Sequence, residues 1–140
     1  MSWSMSDILS AVSIFVGVIT FLIHFVRTKK VETMKEIDKL FELSDGLKGK
    51  TVNSNYEDYV AYMREVERFA IGVNEKLYYR CMVKRQVSIL LCNQYDDFMK
   101  DIINQRRKQF KRTSYYQNIE KLIDKIRKHK RWNRKEAHHV

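Results

Sequence analysis

The stretch SDILSAVSIFVGVITFLIHFVRTKK, residues 6–30, decides how the chain is to be read. Its centre, residues 8–26, is a run of 19 residues without Asp, Glu, Lys or Arg. At about 1.5 Å rise per residue such a helix spans roughly 28 Å, close to the ~30 Å hydrocarbon thickness of a bilayer. A cleaved signal peptide carries positive charge before its apolar run and a small-residue cleavage site after it. Here the order is reversed, with Asp7 before the run and Arg27, Lys29, Lys30 and Lys35 after it. The stretch reads as an uncleaved single-pass anchor. The positive-inside bias sets the following domain in the cytoplasm and the first few residues outside, as expected for an inner (cytoplasmic) membrane. Trp3 is placed to act as an interfacial anchor.

Small and polar residues recur through this segment: Ser6, Ser10, Ser13, Gly17, Thr20 and His24, at spacings of 4, 3, 4, 3 and 4. That spacing keeps them on one narrow stripe of a helix, while bulky apolar residues cover the rest. Small residues let helix backbones approach closely, and polar side chains hydrogen-bond across such a contact for about 0.6–2 kcal/mol each. The stripe predicts a homo-oligomer. In one version it packs a compact bundle; in the other, a ring of helices turns Ser, Thr and His towards a wet lumen.

Outside this segment the chain has the composition of a small all-α protein. It has no proline and only four glycines, Gly17, Gly46, Gly49 and Gly72, so helix patterns run long without breakers. The net charge of +10 is unevenly placed, because residues 100–140 hold 14 of the 27 Lys/Arg and only 4 of the 17 Asp/Glu. An excess gathered in the last third points to RNA or another acidic partner, or to lipid headgroups, against the alternative of a solvated tail. Cys81 and Cys92, eleven residues apart, stand roughly 16 Å apart if on one helix, too far for a disulfide. They read as small buried hydrophobes in a reducing compartment, with no zinc pattern around them.

The expected organisation is a transmembrane anchor over residues 1–30, a juxtamembrane helical extension over 31–43, a linker over 44–55, a cytoplasmic helical bundle over 56–128 and a basic tail over 129–140. Val31, Met34, Ile37 and Phe41 keep helical spacing, so the membrane helix continues as one rod. Ser54 or Asn55 is expected to cap a helix with an apolar face of Tyr59, Met63, Val66, Phe69 and Ala70, stopped by Gly72. Asn74 is expected to cap the next, either one long helix to Phe110 or two with a kink near residues 84–86. Its core stripe would be Leu77, Cys81, Ser88, Cys92, Tyr95, Met99, Ile102 and Phe110. Ser114 and Gln117 have capping-box spacing and open a last helix through Ile119, Leu122, Ile123 and Ile126. Three or four such helices bury one modest core.

Enzymatic constellations are thin. The chain has no glycine-rich phosphate loop, no His-Glu-x-x-His and no serine elbow. Adjacent Asp96 and Asp97 diverge on a helix and read as a solvated face. In the tail, Arg134 with His139 and Arg131 with His138 resemble the Arg-x(4–6)-His motif of HEPN-type RNases. They lie outside the periodic core that a catalytic pair needs for support. RRKQFKRTSYYQ and RKHKRWNRK mix cations with aromatic rings, as nucleic-acid contacts do. In the first, Phe110, Tyr115 and Tyr116 read as core around a turn. In the second, Lys128, Lys130, Arg131, Trp132, Arg134 and Lys135 are candidates for nucleic acid or an anionic membrane. No metal ligand set, cofactor or small-molecule substrate is indicated.

YEDYVAYMREVERFAIGVNEKLYYRCM, followed by IINQRRK, resembles a widespread bacterial family of membrane-anchored proteins carrying a domain of unknown function. The shared pattern is Y-x-x-x-E-x-x-A-x-G-V with an arginine about thirty residues on; here it falls on Tyr62 or Met63, Glu67, Ala70, Gly72, Val73 and Arg106, within residues 56–127. The resemblance implies no activity. It puts Glu67 and Arg106 where they would pair between helices, in a structural role. The layout also resembles the accessory membrane proteins of RNA-targeting CRISPR systems, which implies ring-shaped pores and a degenerate HEPN-like motif. The expected function is a self-associating, pore-forming or membrane-perturbing effector of antiphage defence. The alternatives are a non-enzymatic anchor or adaptor using the basic C-terminus, and a HEPN-like RNase.

Overall fold

A computed structural model describes residues 2–128. Six α-helices follow in order: α1 Met5–Asp45, α2 Tyr56–Asn74, α3 Arg80–Gln86, α4 Ser88–Gln94, α5 Lys100–Phe110 and α6 Gln117–Lys128, with a π-helical turn Tyr95–Met99 joining α4 to α5. No strand occurs among the described residues. The protein is a long apolar N-terminal helix followed by a small helical bundle.

α1 starts on a capping box. The Ser4 side chain accepts from the Asp7 N–H at 3.2 Å, and the Asp7 carboxylate accepts from the Ser4 N–H at 3.1 Å. No breaker then intervenes until Gly46, so anchor and extension are one 41-residue helix. Among the described residues the apolar half is nowhere buried; the second half buries Thr33, Ile37 and Leu40. The helix runs on as one rod, as the spacing of Val31, Met34, Ile37 and Phe41 predicts, but that line is not its core-facing side. Of these only Ile37 is buried, and Val31 is 55% exposed.

α2 is the centre of the bundle. Tyr59, Val60, Tyr62, Met63, Val66, Phe69 and Ala70 are buried, with α1 on one side and α6, through Ile119, Leu122, Ile123 and Ile126, on another. Asn55 occupies the cap position of α2 but makes no side-chain cap bond. Gly72 does not stop the helix, which runs two residues further. The Tyr78 ring lies directly on Gly72, where any Cβ would overlap it, and stacks on Phe69 with centroids 5.4 Å apart. Glycine is needed there for close approach. Asn74 likewise caps nothing downstream. It ends α2, donating to the Asn118 carbonyl at 3.1 Å and accepting from Lys125 at 3.2 Å.

Residues 75–110 divide beside the kink expected near residues 84–86 and are interrupted elsewhere as well. A loop leads to α3, and Val87 separates α3 from α4. Ser88, Met99 and Ile102 are buried as expected, while Leu77, Cys81 and Phe110 are exposed and Val83, Val87, Leu91 and Ile103 fill the core. On an undistorted helix the mean direction of Met99, Ile102 and Ile103 lies about 65° ahead of that of Val87, Ser88 and Leu91. The i→i+5 turn at Tyr95–Met99 holds an extra residue and sets the later stripe back onto the same core.

Two polar ties lock the helices. Tyr62 donates to the Gln94 side-chain carbonyl at 2.5 Å, and the Gln94 amide donates to Ser44 at 2.8 Å, linking α2, α4 and the end of α1. Glu67 accepts from the Ile119 N–H at 2.9 Å and from the Asn118 N–H and side-chain amide at 3.2 and 2.9 Å. It therefore caps α6 from another helix, filling the place expected for Ser114. This also replaces the expected Glu67–Arg106 pair. No such ion pair is found among the described residues, and the Arg106 guanidinium lies over the Phe110 ring, 5.0 Å from its centroid. Arg107 instead holds the α5–α6 turn, donating to the Tyr115 carbonyl at 2.7 and 3.0 Å and pairing with Glu120.

A carboxylate accepting helix N-terminal N–H groups is worth on the order of 1–3 kcal/mol. Glu67→Ala is therefore expected to lower the thermal midpoint of the detergent-solubilised chain by roughly 10 °C. Arg106→Ala should move it far less; equal losses would restore the discarded pair. Burial pushes the Tyr62 hydroxyl up to about 12, and raises Tyr78, Tyr95 and Tyr116 as well. The folded state thus keeps protons that the unfolded chain releases near pH 10. Stability is full below about pH 10 and is lost as pH rises towards 12, by on the order of 2 kcal/mol for Tyr62. Melts at pH 9 to 12 should show this slope, and Tyr62→Phe should flatten it.

Candidate oligomerisation stripe and basic faces

The stripe residues Ser6, Ser10, Ser13, Gly17, Thr20 and His24 are all exposed on α1. A Cβ at Gly17 would meet nothing within 4 Å, and Thr20 bonds back to the Val16 carbonyl at 2.8 Å. At about 100° per residue, the mean direction of the stripe falls about half a turn from that of Thr33, Ile37 and Leu40. The bundle packs on one side of the rod; the stripe looks out from the other. Around the stripe, Val12, Ile14, Phe15, Val18, Phe21, Leu22 and Phe25 are 51–68% exposed, on a helix long and apolar enough to cross a membrane.

Carried past the apolar half at the same three-to-four spacing, the line continues through Thr28, Val31, Lys35, Asp38 and Glu42, all exposed. It becomes a row of mixed charge on the side of α1 away from the core. At His24 the composition changes from small to charged while the spacing does not.

The basic candidates divide. Lys128 ends α6 and pairs with Asp124 at 2.8 Å. Lys130, Arg131, Trp132, Arg134, Lys135, His138 and His139 lie outside the described residues. At the α5–α6 turn, Phe110 is 44% exposed and is not core. Its ring meets Tyr115 edge-on at 5.7 Å, with the Arg106 and Arg112 guanidinium groups over Phe110 and Tyr115 respectively. Tyr116 packs against the core, with φ +60° immediately before α6. Asp96 is paired with Arg127 at 2.7 Å on the surface. Among the described residues no three His, Cys, Asp or Glu come together as a metal site. Neither Cys81 nor Cys92 is in a disulfide; the first is exposed and the second half-buried.

Three features were not read from the sequence: the Glu67 cap, the buried Thr33 hydroxyl and Arg107. Thr33 accepts from the Tyr79 N–H at 2.8 Å while donating to the Lys29 carbonyl at 2.7 Å. A polar residue at a core-facing position between Lys29 and Ile37 was the available signal for Thr33.

Searches of curated proteins and of solved structures each returned no match. The family model described as "Domain of unknown function (DUF4760)" matches residues 18–132, from within the apolar half of α1 to beyond α6, and so extends well outside the 56–127 segment that carried the resemblance. The chain belongs to the DUF4760 family.

Proposed function

We propose that the protein is a membrane-embedded homo-oligomer, assembled through the outward stripe of α1, that opens or perturbs the bilayer as an effector of antiphage, CRISPR-type defence. The reading is carried by one observation. A line of small and polar residues runs along the apolar helix, exposed, on the side that the chain's own bundle does not cover. One helix long and apolar enough to span a membrane supports a single-pass anchor. The cations following residue 26 favour a cytoplasmic bundle at the inner membrane. In that arrangement α1, packed into the bundle through Thr33, Ile37 and Leu40, carries movement of the bundle into the stripe. The defence context rests on the likeness of layout to the CRISPR accessory membrane proteins.

The charge gathered from Lys100 onward favours a second reading, an anchor or adaptor that holds RNA or an acidic protein at the membrane through its C-terminus. The RNase reading depends on Arg134 and His139, outside the described residues.

In mild detergent the chain is expected to run as an oligomer and, once reconstituted, to release a small dye from vesicles. Thr20→Leu with His24→Leu should abolish release. A strictly monomeric chain that tolerates leucine at every stripe position sinks the proposal. Binding of single-stranded RNA that weakens steeply with salt and disappears on removal of residues 128–140, without dye release, would establish the adaptor instead. Below the membrane, Lys35→Glu should weaken the oligomer several-fold by making that part of the row wholly acidic, and adding Asp38→Lys should restore it.

A further inference from the structure

The loop after α2 and the short helix α3 sit at the membrane end of the bundle. α1 passes Arg27, the first charge after the apolar run, and reaches Thr33 about 9 Å further along. There the Thr33 hydroxyl accepts from the backbone of Tyr79, the cap residue of α3, at 2.8 Å, and the Lys30 ammonium lies over the Tyr79 ring, 5.0 Å from its centroid. At the other end of α3, Gln86 reaches the Met34 sulfur at 3.7 Å. Both ends of α3 therefore meet α1 at adjacent residues. The helix lies across the rod, and where the rod crosses a bilayer, α3 lies along its surface. The headgroup layer extends about 5–8 Å beyond the hydrocarbon, which brings this level of the bundle against it.

The chemistry of the face matches that position. Residues 27–36 and 75–86 together hold eight Lys/Arg against three Asp/Glu, namely Glu32, Glu36 and Glu75. From Lys76 to Gln94 there is no acid. Glu32 and Glu36 lie on the Tyr78 side, where they help burial raise its hydroxyl. Lys76, Arg80 and Arg85 are exposed, and between them Leu77 is 57% exposed on a turn held by the left-handed Lys76, φ +62°. Cations around an exposed apolar side chain make a surface for anionic headgroups, the cations contacting phosphate and the leucine entering the interface.

We propose that the α2–α3 loop and α3 form a docking face for anionic phospholipid headgroups, holding the bundle down on the membrane that α1 crosses. The proposal rests on α1 spanning the bilayer and not on self-association. Docking of this face fixes the tilt of the bundle about the point where α1 leaves the membrane.

Cys81, exposed on α3, is a native reporter of the face. The full chain is placed in nanodiscs of phosphatidylcholine alone or with one-third phosphatidylglycerol, and its labelling by an uncharged polyethylene-glycol maleimide is timed. Recovery in the discs establishes insertion of α1 separately. Labelling is expected to be at least about fivefold slower in the anionic discs, with the difference removed by 0.5 M salt. Lys76→Glu with Arg85→Glu should also remove it while leaving recovery in discs unchanged, and Leu77→Ser should reduce it. Equal rates in the two lipids, or slowing that survives charge reversal, overturn the proposal. So does protection that appears in phosphatidylcholine discs only when RNA is added, which assigns the face to nucleic acid.

Discussion

Because α1 is a single helix from its apolar half into the bundle, the direction of each side chain in the apolar half is tied to the direction of the core-facing residues that follow. Thr33, Ile37 and Leu40 must point into the bundle, and the helical repeat then dictates where Ser10, Gly17 and His24 point. The polar line ends up opposite the bundle without any contact of its own to put it there. Nothing between Asp7 and Asp45 relaxes this coupling, since the one glycine in that span, Gly17, sits in regular helix. The continuity of α1 is thus the constraint on which the remaining features of the protein hang.

The bundle achieves its order with polar groups placed at element ends. The Glu67 carboxylate sits where α6 presents its free N–H groups, and the hydroxyl of Thr33 meets the start of α3. The Arg107 guanidinium closes the turn before α6, and Tyr62 with Gln94 ties the end of α1 to α2 and α4. The first three satisfy backbone N–H groups or a backbone carbonyl and the last joins three side chains, so the ties hold helices in register that the apolar core alone would let slide. The π turn serves the same end by rotation, keeping one continuous helical segment facing one core.

Much of this was legible in the chain. The apolar run, the absence of proline and the faces of α2 and α6 follow from periodicity, because those helices bury regular stripes. Legibility failed where a residue's role depends on something distant in sequence. Gly72 looks like a helix stop until the Tyr78 ring is seen lying on it. Glu67 looks like the partner of a basic residue until α6 is seen to begin beside it. Phe110 and Leu77 look like core because composition cannot distinguish a buried apolar residue from one at a turn or a membrane interface.

The sequence by itself determined the helical class, the spanning length of α1, the stripe within it and the imbalance of charge, since each depends only on residue type and local spacing. Tertiary structure decided which side of α1 the bundle covers, what caps α6, where the segment after α2 breaks and which loop sits beside the end of the apolar run. These are settled by competition between distant groups for the same buried surface and the same open hydrogen-bonding sites, and no local pattern records the winner.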